Sequence, residues 1–211
     1  MTTESQGNTN ILRWALLSWI AIIGVMTYCG ILTRPLSNDE TIYYLPIIES
    51  FANSLPSFAV LDYPFPSPPL GILLQSIVFY FTDNSWVIVR MFSLVTLLLL
   101  GFVTYKRMKI LENSTYSALL LIAFLSFPFF LQHGFTLRQH TLSLLFLILG
   151  SVGAASLSSY QTGRADLRAL FWLTLATLVH QFTIAYCATI ILFLVIQNTN
   201  KIDSPLKDKR F

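Results

Sequence analysis

With 211 residues, 55% of them hydrophobic and 11% charged, the chain carries less than half the charge of an ordinary soluble domain, where about a quarter of residues are charged. A mean hydropathy of +0.65, delivered in long apolar blocks between short polar breaks, excludes one large soluble core and points to a polytopic helical membrane protein. The net charge of +3 is small and dispersed, so nucleic acid is excluded as a partner and membrane lipids are expected as the surrounding medium.

Residues 1–10 are polar and read as a disordered cytoplasmic leader. The first apolar block, residues 14–32, is longer than the core of a signal peptide and has no small-residue cleavage pattern close behind it, so it reads as an uncleaved span. An outer loop, residues 33–85, follows. Its first part predicts a short helix from Asp39 to about residue 53, capped by Asn38 or Ser37, with Asp39 and Glu40 favoured in the first turn. Pro64, Pro66, Pro68 and Pro69 then impose a stiff, extended connection. The apolar stretch 70–81 would be about 18 Å long as a helix, too short for a hydrocarbon core of about 30 Å, and is expected to lie at the interface.

The block 86–105 is long enough to cross, and it ends in Lys106-Arg107-Met108-Lys109, the densest basic cluster between spans. By the positive-inside rule that end is cytoplasmic. The remaining spans then fall at 116–132, 141–157, 169–180 and 182–196, with a turn at 133–140 on the outside and a basic cytoplasmic tail over 198–211. The tract 169–196 is too long for one upright span. A helical pair turning near His180 is preferred to a single tilted helix. The predicted fold is therefore all-α: a polytopic membrane bundle with an outer juxtamembrane helical loop after the first span.

This topology gathers Asp39, Glu40, Asp62, His133, Arg138, His140 and His180 at the outer face. Asp39 and Glu40 could serve only the helix dipole, yet an acid beside hydrocarbon is costly unless it faces a cavity, and a carboxylate there could take a proton from an acceptor hydroxyl. Arg138 could simply snorkel, or could hold a lipid phosphate with His140 as a nearby neutral donor. His180 reads either as a hydrogen-bonded packing residue or, with Gln181, as a functional group at a turn. Arg90 is expected to pair with Asp83 or a headgroup in a structural role. Three histidines without close-spaced partners give no metal motif, and Cys29 and Cys187, both within apolar runs, read as packing residues. The Asn113-Ser114-Thr115 acceptor pattern falls on the cytoplasmic side and is attributed to chance.

Four stretches in order carry a family resemblance: Asp39-Glu40-Thr41-Ile42-Tyr43 after the first span, Pro68-Pro69-Leu70 entering the short apolar helix, Ser85-Trp86-Val87-Ile88-Val89-Arg90 opening the next span, and Leu178-Val179-His180-Gln181-Phe182 late in the chain. Together they resemble the amino-terminal module of the GT-C membrane glycosyltransferases, the polyprenyl-phosphate-sugar-dependent group that includes protein O-mannosyltransferases and aminoarabinose transferases. The resemblance spans about residues 14–196 and the module about 11–197. It implies an inverting, metal-independent transfer of a sugar from a polyprenyl phosphate to a hydroxyl on a glycan, lipid or protein, in a multi-pass protein of the cell membrane. It implies Asp39 as the catalytic carboxylate with Glu40 beside it shaping the site, the catalytic pair expected here, and Arg138, His140, His180 and Tyr43 are the expected substrate-binding residues. No cofactor is implied beyond the lipid-linked sugar, which is a substrate. Relatives carry further spans, so a partner subunit supplying them is one expectation, and a non-catalytic subunit or lipid-carrier-binding fragment is the alternative to an enzyme.

Overall fold

A helix that crosses a bilayer needs about 20 apolar residues, and among the described residues two helices meet that requirement. The computed structural model describes residues 3–54, 69–108, 114–127, 132–155 and 163–192. Over these the chain is all-helical, with no strand: α1 (Thr3–Tyr28), a π-helical turn (Glu40–Tyr44), α2 (Leu45–Ser54), α3 (Leu70–Phe81), α4 (Trp86–Met108), α5 (Ser114–Leu125), α6 (His140–Ala155), α7 (Gly163–Val179) and α8 (Thr183–Leu192). The long apolar pair is α1, over Asn10–Tyr28, and α4. Shorter apolar helices of 10–17 residues lie in α3, α6, α7 and α8. Most of the proline-rich run, Asp62, Asn113 and the tail 198–211 lie outside the described residues.

Local chemistry sets the helix ends. Gly30, at φ 79°, closes α1: its N–H donates to the Thr27 carbonyl and the Ile31 N–H to the Met26 carbonyl, the paired bonds of a Schellman stop. The first span therefore ends as helix at Tyr28, before the expected limit at residue 32. Asp83 and Asn84 both take the left-handed conformation that short polar side chains tolerate, turning the chain from α3 into α4. At the other end, α1 runs back to Thr3, so residues 3–10 are helical where a disordered leader was expected. The reason is packing. Leu12 is buried in one cluster with Tyr105 and Met108 of α4, and extending an existing helix is far easier than nucleating one.

The core has three parts. Leu12, Trp19, Ile23 and Leu32 meet Leu94 and Leu97 of α4, Leu121 of α5 and Phe135. Here α1 and α4 touch closely enough that a Cβ on Gly101 would stand 2.4 Å from the Trp19 ring. Ile48, Phe51 and Ala52 of α2 meet Ile72 and Phe79 of α3, Val89 of α4 and Leu137. Leu173 and Ala176 of α7 pack on Cys187 of α8, and the Cys187 thiol donates to the Leu173 carbonyl across the break at His180. The tract 169–192 is thus two helices folded back on one another. Outside, Met91, Val95, Leu99 and Phe102 of α4 form an exposed stripe at helical spacing, and Trp14, Leu17 and Val25 project from α1. Apolar side chains laid along the outside of two span-length helices are what a lipid solvent demands.

Candidate active site

The acidic pair begins a helix through a capping box. Ser37 Oγ accepts the Glu40 N–H at 3.4 Å, while the Glu40 carboxylate reaches back to accept the Ser37 N–H at 2.9 Å and the Ser37 hydroxyl at 3.0 Å. Ser37 is therefore the cap, and the S-x-x-E spacing was present in the sequence. The next turn is wide: the Leu45 N–H donates to the Glu40 carbonyl, five residues back. A π-turn of this kind is uncommon in helices and concentrates at functional positions.

Glu40 is wholly buried, and so is its partner. Arg90 of α4 donates Nη2 to Glu40 Oε2 at 2.8 Å and Nε to Oε1 at 3.2 Å. Its remaining reach goes to the carbonyls of Leu32 (3.0 Å), Arg34 (2.6 Å) and Pro35 (3.4 Å), and the guanidinium lies 4.7 Å from the Trp86 ring centroid. A buried guanidinium is tolerated when its donors are satisfied in this way. The expected partners, Asp83 or a headgroup, are replaced by Glu40 because the 32–35 segment and the capping box fold onto the start of α4. Burial acts to raise the Glu40 pKa, but hydrogen bonds from Arg90, Ser37 and Leu137, with the charge of Arg90, hold it below the ordinary carboxylate value.

The bond from Leu137 links the acidic turn to a second segment. Glu40 Oε1 accepts the Leu137 N–H at 2.9 Å, 97 residues away. Residues 133–140 were expected as a turn on the outer side of the membrane; within that turn His133, Phe135, Thr136, Leu137 and Gln139 are buried. Gly134 permits this, since a Cβ there would meet Leu97 at 2.2 Å. From α3, the Gln75 amide donates to the Leu137 carbonyl at 3.0 Å and the Gln75 carbonyl oxygen accepts from the Gln139 amide at 3.2 Å. Both backbone polar atoms of Leu137 are thereby held by side chains from other elements.

Next to each end of the Glu40–Leu137 bond stands an exposed polar residue. Asp39 and Arg138 form an ion pair, with their side chains 51% and 27% exposed. Tyr44, brought round by the π-turn, lies under the charges of both. Burial pushes its pKa up, and Arg138 and Asp39 act on it in opposite directions. Tyr43, by contrast, is half-exposed.

The three histidines form a row beside Arg138. Ring centroids are 4.7 Å apart for His133 and His140 and 4.4 Å for His140 and His180, and the His180 ring stacks in turn on the exposed Phe182. Burial, with a smaller part from the Arg138 charge, pulls the His133 pKa down to about 4, so that ring is neutral at pH 7. His180 occupies the break between α7 and α8, where its Nδ1 accepts the Phe182 N–H at 3.3 Å and its carbonyl accepts the Thr183 hydroxyl at 2.6 Å. With Nδ1 accepting, the neutral ring carries its proton on Nε2. Among the described residues no three His, Cys, Asp or Glu side chains are grouped to hold a metal ion.

The structure therefore brings Asp39, Arg138, His140 and His180 to one end of the bundle, places Glu40 beneath them, and leaves Tyr43 on the exposed side of the turn. It adds Tyr44 and Arg90, which the sequence reading had outside the site, and gives His133, expected only at the same face, a place beside His140. No signal marked the π-turn that selects Tyr44 over Tyr43. A buried arginine and a buried glutamate in a chain this poor in charge were the available clue to the Arg90 pair.

No curated protein and no solved structure matches this sequence. A family match does exist: residues 66–207 fit the dolichyl-phosphate-mannose-protein mannosyltransferases, a stretch that holds Arg90, Arg138, His140 and His180 and starts after Asp39 and Glu40. Covering about two thirds of an all-helical membrane chain, that match identifies this protein as a member of the dolichyl-phosphate-mannose-protein mannosyltransferase family of membrane glycosyltransferases.

Proposed function

We propose that the protein is a multi-pass glycosyltransferase that moves a sugar from a polyprenyl-phosphate donor to an acceptor hydroxyl on the extracytoplasmic face of the cell membrane. The observation that carries this is the exposed Asp39–Arg138 pair, a carboxylate and a guanidinium held together at one end of a bundle over a fully buried Glu40–Arg90 pair. Such an arrangement supplies the two things the reaction needs. A carboxylate can take the acceptor proton, and a guanidinium can hold the phosphate on which charge develops as the glycosidic bond breaks.

In this reading Asp39 touches the acceptor oxygen, and Arg138, with His140 and the Nε2 proton of His180, touches the phosphate. Glu40 reaches neither. All its bonds run inward, to Ser37, Arg90 and Leu137, so its part is to fix Asp39 on one side and Arg138 on the other. The displacement inverts the anomeric carbon and needs no metal to activate the hydroxyl. Family membership, the membrane helices and the S-x-x-E turn support this reading.

The test is transfer of labelled sugar from a lipid-linked donor in membranes containing the protein. Asp39→Asn keeps the size of the side chain and removes its charge, and is expected to lower transfer at least 100-fold, within the range of general base catalysis. Full transfer by Asp39→Asn would refute the assignment. Donor binding without any transfer by the wild-type chain would instead favour a non-catalytic lipid-carrier-binding protein.

A further inference from the structure

The row of imidazoles is assembled from three separate places: His133 from the buried loop, His140 from the first position of α6 and His180 from the break after α7. The charged and titratable groups around it are few. Arg138 on the same loop acts on His133 and His140, and Asp39 and Tyr44 on the π-turn face Arg138. On α4, Arg90 is neutralised by Glu40; α3 offers the amide of Gln75, and on α8 Cys187 is turned toward α7. Adjacent rings this close strongly disfavour two positive charges together, so the row behaves as a unit that takes up one proton beyond those of its neutral rings.

The following rests on the reading that Arg138 receives the donor phosphate. In that transfer the bond between the anomeric carbon and the phosphate oxygen breaks, and its electron pair stays on the phosphate. The acceptor oxygen bonds to the anomeric carbon and its proton passes to Asp39. A phosphodiester enters with one negative charge and a monoester remains with two. Each turnover thus leaves an additional negative charge beside Arg138 and one proton to be accommodated.

We infer that the His133–His140–His180 row is a one-proton acceptor for the monoester product, becoming cationic when a dianionic phosphate lies against Arg138. His133 and His140 share that charge, because the Nδ1 of His180 already accepts the Phe182 N–H. Without an anion, burial, with smaller parts from Arg138 and, at His140, from the neighbouring rings, holds His133 at about 4 and His140 at about 3, so both are neutral. An anionic phosphate cancels the Arg138 charge, and each negative charge about 5 Å from an imidazole raises its proton affinity a few hundredfold at an effective dielectric of about 20. The row is then an adjustable counter-charge that is positive for the product and neutral for the empty site.

The experiment is calorimetric titration of the full chain, in lipid nanodiscs, with dodecyl phosphate at about pH 8, where the probe is already a dianion. Runs in two buffers of different ionisation enthalpy report the protons exchanged. About one proton is expected to be taken up per phosphate bound, and none by the double variant His133→Phe with His140→Phe, which retains stacking rings without their nitrogens. Carbon-13 labelling of histidine Cε1 gives a readout that needs no variant: an imidazolium resonance is expected to appear on adding the phosphate. Binding that is lost in Arg138→Gln but occurs without proton uptake or an imidazolium signal overturns the inference and leaves the phosphate role of Arg138 standing. Absence of any Arg138-dependent binding overturns both.

Discussion

Glu40→Gln isolates the contribution of the buried ion pair, because it changes charge while keeping shape. Five donors reach the carboxylate: Ser37 N–H and hydroxyl, Arg90 Nε and Nη2, and the Leu137 N–H. An amide nitrogen accepts from none of them. If it takes the Oε1 position it confronts Arg90 Nε and Leu137 N–H; at Oε2 it confronts Arg90 Nη2 and Ser37 N–H, the hydroxyl being free to turn. Either way two donors, at least one of them fully buried on Arg90, lose their acceptor and the Arg90 cation loses its counter-charge. Removing one partner of a buried pair costs about 3–5 kcal/mol, a large part of the roughly 5–15 kcal/mol that holds a typical domain together. In a chain of this length that corresponds to a fall in Tm of about 6–20 °C. The assay is thermal unfolding in detergent micelles of the wild type, Glu40→Gln, and the double variant Glu40→Gln with Arg90→Met. The double variant is expected to recover much of the loss, because no unmatched charge remains buried. A Tm for Glu40→Gln within about 2 °C of wild type would refute the reasoning, as would a double variant no more stable than the single one.

Three further outcomes follow from the same contacts. Gly101→Ala would ordinarily stabilise a helix by up to about 1 kcal/mol, but here the added methyl meets the Trp19 ring, and a net loss of about 1–3 kcal/mol in thermal unfolding is expected, with the sign reverting to a gain when Trp19→Leu is introduced alongside. His133 titrates at about 4 when folded and at about 6.5 when unfolded, so the unfolded chain binds its proton first and stability falls as pH drops through that interval, by about 3 kcal/mol in all; His133→Phe should flatten the profile. Glu40 acts in the same sense over a lower range, its stabilisation being complete above the ordinary carboxylate value of 4.5 and lost as pH falls through its lower folded value, so acid unfolding below that range should persist in His133→Phe. Thr96→Val removes the 3.0 Å hydroxyl pair with Thr141 that joins α4 to α6, for a loss of about 0.6–1.7 kcal/mol readable by unfolding in the same micelles.

The all-helical class was legible because apolar blocks this long leave the backbone no other way to satisfy itself in lipid. The nearness of the candidate residues Asp39 and Arg138, and of His140 and His180, was legible by position as well, since they are conspicuous polar residues beside apolar blocks. The burial of 133–139 was harder to read. Phe135 and Leu137 hinted at it, but the decisive feature is the close approach of Gly134 to Leu97, which depends on how α4 lies. The partner of Arg90 was hidden for a similar reason. Asp83 is seven residues from it in the chain and Glu40 is fifty, and nothing local favours the distant acid until α1, the capping box and α4 are packed together.

The wide turn at Glu40–Tyr44 has a consequence for how this segment can vary. It contains one residue more than a regular helical turn would need, and that surplus carries Tyr44 to the side of Asp39 and sets which face of α2 meets α3. Shortening the segment by one position would restore ordinary winding and rotate every later side chain of α2 by about 100°. Ile48, Phe51 and Ala52 would leave their pocket together. The stretch can therefore absorb exchange of one side chain for another far more readily than any change in its length: here the number of residues is itself the inherited information.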